Sequence, residues 1–172
     1  MQHTDLKKSE TLDDAKREQI IGLLRQAYND EIETVANYLA NSIHLDGMLA
    51  QEVKESLSKD IEEELGHAKL LANRLKVLGG GIPGSVDLKM SQHSLRPPES
   101  TIDVVSVIKG VIEAEDSAID TYQKLIEVTG DDTDPVTQDL AINLKGDEEE
   151  HRREFVGFLR EYDALKEMFK GG

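Results

Sequence analysis

Four stretches of the chain repeat apolar residues at helical spacing, and none keeps up the two-residue alternation of a half-buried strand. The first runs from Leu12 to about Leu45 without a proline, with Leu24, Ala27, Tyr28, Val35, Tyr38 and Leu45 along one face. Thr11, with Asp14 three positions on, is placed to cap its start, and Asp46-Gly47 signals a turn at its end. The second, about Met48 to Leu78, carries Leu57, Ile61, Ala68, Leu71, Leu75 and Leu78, and stops at a run of glycines before Pro83. The third spans about Ile102 to Val128, with Ser100 or Thr101 as cap and Ile108, Ile112, Ile119, Tyr122 and Ile126 as its stripe. The fourth opens on Asp134-Pro135, a cap followed by a first-turn proline, and continues to about Phe169. Its periodic residues are Leu140, Leu144, Phe155, Phe158, Leu159 and Tyr162. Residues 79–100, rich in Gly, Pro and Ser, are long for a helix connection and suit a crossover running the length of a bundle. The predicted fold is all-α: one four-helix bundle over residues 11–169, made of two antiparallel hairpins and one long crossover, with polar tails at 1–10 and 170–172.

Acidic residues interrupt these apolar stripes at related positions. Glu31 lies between Ala27 and Val35, and Glu115 between Ile112 and Ile119. Two Glu-x-x-His motifs, Glu64 to His67 and Glu148 to His151, occupy the second and fourth stretches. Residues three apart share a helix face, so each motif offers a carboxylate and an imidazole to one ion. Adding 84 to positions 31, 64 and 67 gives 115, 148 and 151, and Tyr38 maps onto Tyr122 by the same offset. This is the mark of a duplicated hairpin, or of selection for its geometry. Each Glu pair is separated by 33 residues and centred on a turn, at Gly47 and at Asp131-Asp132. At 1.5 Å per residue the paired positions stand roughly 24 Å from their turns, level with each other. Four inward carboxylates cost several kcal/mol each and repel one another, whereas two divalent cations cancel their charge. The candidate metal ligands are therefore Glu31, Glu64, His67, Glu115, Glu148 and His151. The alternative is a metal-free bundle with buried Glu–His hydrogen bonds. Tyr38 and Tyr122 follow ligand Glu residues by two turns, and suit either core packing or support of the site. Glu33, Glu62, Glu63, Glu113, Glu149 and Glu150 read as solvated or misplaced for the set, and His3, His44 and His93 as surface residues.

Acids outnumber bases 35 to 20, and the net charge of −15 argues against a phosphate-backbone or anionic-membrane partner and favours cations. Cysteine is absent, which removes disulfides, iron–sulfur clusters and thiol nucleophiles. No apolar run reaches membrane-span length, and Met1 to Glu10 has no signal-peptide core, so a cytoplasmic location is expected.

Asp30-Glu31-Ile32 leading to Asn37-Tyr38, Asp60 to Ala68, Gly81-Ile82-Pro83, and Asp147 to His151 resemble bacterioferritins, within the ferritin-like superfamily. The resemblance covers about residues 15–165 and implies two iron ions, with Mn or Zn as other occupants. Glu31 and Glu115 would be terminal ligands, Glu64 and Glu148 bridging ones, and His67 and His151 would each hold one ion. It also implies oxidation of Fe(II) by dioxygen or hydrogen peroxide, with iron storage and detoxification in a homo-oligomer. Leu65 stands where bacterioferritins carry their haem-ligating Met, so haem is not expected. The fourth helix leaves no room for a fifth, which favours a dimer or a Dps-like shell of 12 subunits over a cage of 24. The other functional expectations are a stand-alone diiron peroxidase resembling rubrerythrin, a dimanganese catalase, or a scaffold with structural metals.

Overall fold

A computed structural model describes residues 12–170, which form four α-helices with no strand among them. They are α1 (Asp14–His44), α2 (Gln51–Val77), α3 (Val104–Thr129) and α4 (Pro135–Lys170). Single 3₁₀ turns lie at Met48–Ala50 and His93–Leu95. α1 packs along α2 and α3 along α4, while α1 also lies against α3. The all-α fold of two hairpins and one crossover is thus observed. The expected cap Thr11 and the tails 1–10 and 171–172 lie outside the described residues, and α4 continues through Lys170.

The turns follow from local chemistry. Gly47 takes φ 97°, a left-handed conformation that glycine adopts without penalty, and redirects the chain after α1. Asp134 caps α4: its Oδ1 accepts from the Thr137 N–H at 3.1 Å and pairs with the Arg74 guanidinium at 2.6 Å. α3 starts two residues later than expected. Its cap is neither Ser100 nor Thr101 but Asp103, whose carboxylate accepts from the Ser106 N–H at 3.2 Å. Thr101 is engaged elsewhere, its carbonyl accepting from the Asp46 N–H at 2.7 Å.

The core divides into two apolar plugs. One holds Tyr38, Leu45, Val53, Leu57, Val107, Ile108, Val111 and Phe155; the other holds Ile20, Leu24, Leu71, Leu75, Tyr122, Leu125, Ala141 and Leu144. Every helix passes from one plug to the other, and between them each presents its Glu or Glu-x-x-His to the middle of the bundle.

The crossover is pinned to α1 by a polar stripe at four-residue spacing, which keeps its members on one face. Arg25 donates to the Gly81 carbonyl at 3.0 Å. Asn29 donates to the Lys89 carbonyl at 2.7 Å and accepts from its N–H at 2.6 Å. Glu33 accepts from the N–H groups of Ser91 and Gln92, each at 2.8 Å. Asn37 donates to the Gln92 side chain at 3.1 Å, and Asn41 to the Leu95 carbonyl at 2.7 Å. Glu33 is therefore buried and fully employed rather than solvated, because the crossover covers it. His44 is half-buried rather than a surface residue, with its Nε2 shielded and without a hydrogen-bond partner.

Gly110 admits the crossover on the α3 side. A Cβ there would come within 2.5 Å of the Ser94 carbonyl oxygen and 2.9 Å of Leu95 Cα. Backbone must shift to relieve such a clash, so Gly110→Ala is expected to lower stability by about 1–3 kcal/mol, read as a lower urea midpoint.

Candidate metal centre

Helix periodicity brings all six predicted residues together at the boundary between the plugs. Glu31, Glu64, His67, Glu115, Glu148 and His151 are each 5% exposed or less. Glu64 Oε2 lies 3.2 Å from His67 Nδ1, and Glu64 Oε1 lies 3.3 Å from His151 Nδ1. Glu148 mirrors it, with Oε1 3.1 Å from His67 Nδ1 and Oε2 3.2 Å from His151 Nδ1. Glu31 stands on the His67 side at 3.9 Å and Glu115 on the His151 side at 4.0 Å. The imidazoles are stacked with centroids 6.3 Å apart.

Two four-residue groups result: Glu31, Glu64, His67, Glu148, and Glu64, Glu115, Glu148, His151. In each, one donor atom per residue lies within 4.8 Å of the others. Bonds of about 2.1 Å separate opposed ligands by about 4.2 Å, so a slight contraction suffices for a cation. Both Glu64 oxygens, Glu148 Oε1 and His67 Nδ1 are buried without a hydrogen-bond partner, although they sit at ion-pair distance from one another. Orphaned donors aimed at one point fit a shared pair of cations, and so does the carboxylate–imidazole chemistry of the set. Glu64 and Glu148 are common to both groups.

The tyrosines engage crosswise. Tyr38 of α1 donates to Glu115 Oε1 of α3, and Tyr122 of α3 donates to Glu31 Oε1 of α1. Each hydroxyl thus fixes one outer carboxylate: at Glu31 the oxygen on the His67 side, Oε2, is the one not bonded to tyrosine, whereas at Glu115 the tyrosine-bound Oε1 is itself the oxygen on the His151 side. Burial, then the adjacent Glu charges, keep both phenols well above their usual range, so they remain proton donors.

Two functional candidates escaped the sequence reading. Asp147 Oδ2 lies 3.4 Å from His67 Nε2, and Glu63 Oε2 lies 3.4 Å from His151 Nε2. Such outer carboxylates orient an imidazole whose other nitrogen faces the ion. Glu63 was expected to be solvated; it is half-exposed and reaches across to the opposite hairpin. The available signal was the offset of 84, which also maps Glu63 onto Asp147. Glu62 and Glu113 are exposed as expected, and so is His93. His3 lies outside the described residues.

Residues 21–165 match the ferritin-like domain family. The chain belongs to that family. A DNA protection during starvation protein from Pyrococcus furiosus is 30% identical over 146 residues, covering 83% of this chain and 77% of the relative. A bacterial ferritin from Neisseria meningitidis is 32% identical over 114 residues, covering 66% and 68%. Among solved structures, a dodecameric thioferritin, the bacterioferritin-related protein of Bacteroides fragilis, aligns with a TM-score of 0.75 at 24% identity, covering 89% and 91%. Iron storage and ferroxidase-type chemistry are the functions this ferritin-like family supports in general. No described helix is long and apolar enough to cross a membrane.

When no cation is bound, protons would compensate the charge of the centre. Burial, then the charges of Glu148 and Glu64, hold the Glu31 and Glu115 carboxyls well above their ordinary range. Burial opposes ionisation of Glu64 too, but its contacts with His151 and His67 outweigh this and keep it at about 2. Burial likewise disfavours imidazolium, yet Glu148 and Glu64 raise His67 to about 10 and His151 to about 12. At neutral pH both imidazoles are therefore protonated and must lose that proton to become ligands. Affinity for a divalent cation is expected to rise with pH, with up to about four protons released per chain. Calorimetric Zn(II) titrations in buffers of different ionisation enthalpy measure this release, and pH-independent binding without proton exchange would contradict it.

Proposed function

We propose that the protein oxidises Fe(II) at a dinuclear carboxylate–histidine centre and stores the product within a homo-oligomeric shell, thereby removing free iron and peroxide. The observation that carries this reading is the sharing of Glu64 and Glu148 between two buried donor groups. Sharing holds two substrate ions close enough to give up one electron each to one oxidant molecule. With hydrogen peroxide, two Fe(II) and two protons yield two Fe(III) and two waters. Glu64 and Glu148 would bridge the ions, Glu31 and Glu115 would complete their outer sides, and His67 and His151 would supply one nitrogen each. Tyr38 and Tyr122 hold the outer carboxylates during exchange. The net charge of −15 supports protection of nucleic acid by clearing its oxidants rather than by contact with it.

Anaerobic Fe(II) titration tests the centre. About two Fe(II) should bind per chain, and dioxygen or peroxide should then oxidise them rapidly. Glu148→Ala, which strips a donor from both groups, should slow oxidation by about 100-fold or more. Unchanged oxidation in that variant would refute the assignment.

The storage part rests on assembly, and the Bacteroides fragilis relative is dodecameric. Sedimentation velocity is expected to give a homo-oligomer many times the 19.1 kDa chain. A stable monomer or dimer would leave the oxidation chemistry standing and remove storage.

A further inference from the structure

A second concave site lies away from the middle layer, between α1 and the crossover. It is a cleft of about 490 Å³, within the range of roughly 300–1,000 Å³ usual for small-molecule sites. The ladder along α1 holds its walls. Asn29 grips the Lys89 backbone through both ends of its amide, and Glu33 accepts from the Ser91 N–H. These bonds use backbone atoms of the crossover and leave the Lys89 ammonium unengaged. The cleft is thus formed before any ligand arrives, which lowers the cost of binding.

Four charged side chains line the cleft, two of each sign: Arg25 and Lys89, Asp30 and Asp87. In a chain of net charge −15 this balance is a local departure. Among the described residues none of the four forms an ion pair. Arg25 gives its Nε to the Gly81 carbonyl at 3.0 Å, and its two Nη groups have no partner among those residues. Opposite charges that line one cleft without closing on each other leave room for a molecule carrying both. Gly22, which also lines the cleft, is an independent sign. It stands inside α1, where glycine is a poor helix former. A Cβ there would meet nothing within 4 Å, so packing within the chain does not call for glycine. Its effect is to keep the cleft bare at that point.

We propose that this cleft binds a small zwitterion of amino-acid or dipeptide size, its carboxylate toward Arg25 and Lys89 and its ammonium toward Asp30 and Asp87. A lone anion would meet two acids there, and a lone cation two bases, so neither matches the walls as a molecule with both poles does. Bound in the cleft, the zwitterion bridges α1 and the crossover and reinforces the ladder between them. The proposal does not depend on the dinuclear reading.

Ligand-observed NMR on the full chain tests the site. The probes are the common amino acids and their glycyl dipeptides, with succinate and butylamine as controls that carry one pole each. At least one zwitterion should receive saturation transfer from the protein, and the controls none. Hydrogen exchange locates the site: with that zwitterion bound, the Lys89 and Ser91 amides should exchange several-fold more slowly. Lys89→Ala and Asp87→Ala each remove one pole from a side chain with no other partner among the described residues, and each should weaken binding about tenfold. Gly22→Phe fills the cleft from a position with open space at its Cβ, and should abolish binding while helix content is kept. Absence of binding by every zwitterion overturns the proposal. Binding of succinate or butylamine as tight as that of the zwitterion overturns it too, as does undiminished binding in both charge variants.

Discussion

Four carboxylates meet at the middle of this bundle in a layer with apolar plugs above and below, and their mutual repulsion sets the terms for everything around them. In such a layer, charge is compensated from within or not at all, because water cannot reach it from either end. Without metal, compensation comes from two imidazolium groups and from protons kept on Glu31 and Glu115. With metal, the same donors are freed together. The crosswise tyrosines steady both outer carboxylates, each donating its hydroxyl hydrogen to one of them. Leu, Ile and Val fill the plugs; the middle layer holds the polar groups, and what they can do is set by the cations they accept.

The six candidate ligands that the structure brings together were legible from sequence because a duplicated hairpin writes them twice. One Glu in an apolar stripe is ambiguous, but three residues repeated at one offset and centred on their turns leave little else to explain them. The same offset contained Glu63 and Asp147, yet Glu63 taken alone is an acid beside a candidate ligand, for which average exposure favours solvent, and Asp147 does not stand out at all. The missed information is that each reaches the histidine of the other hairpin, which no single-helix pattern encodes. Glu33 went astray for a related reason. Its partners are backbone N–H groups of Ser91 and Gln92, in a crossover without periodicity. The start of α3 was misplaced because Ser100, Thr101 and Asp103 can all cap a helix, and the choice fell to a tertiary contact between Thr101 and Asp46.

The crossover contributes no donor to the centre. It lies along α1 on a ladder of side chains from Arg25 to Asn41, on a different face from Glu31 and Tyr38, and its far end enters a slot left by Gly110. α1 is thereby polar on two faces for different reasons: one holds the connection between the hairpins and the other faces the metal layer. The fold thus separates the task of joining the halves from the chemistry the halves perform.

That separation matters because neither hairpin owns a complete donor group. The group around His67 borrows Glu148 from the second hairpin, and the group around His151 borrows Glu64 from the first. A cation that occupies either one is held by both halves at once, so it acts as a removable staple across their interface. Closing the bundle and capturing metal are then two descriptions of one equilibrium. A cation bound in either group would hold the halves together more tightly, and its withdrawal would loosen them at their shared layer.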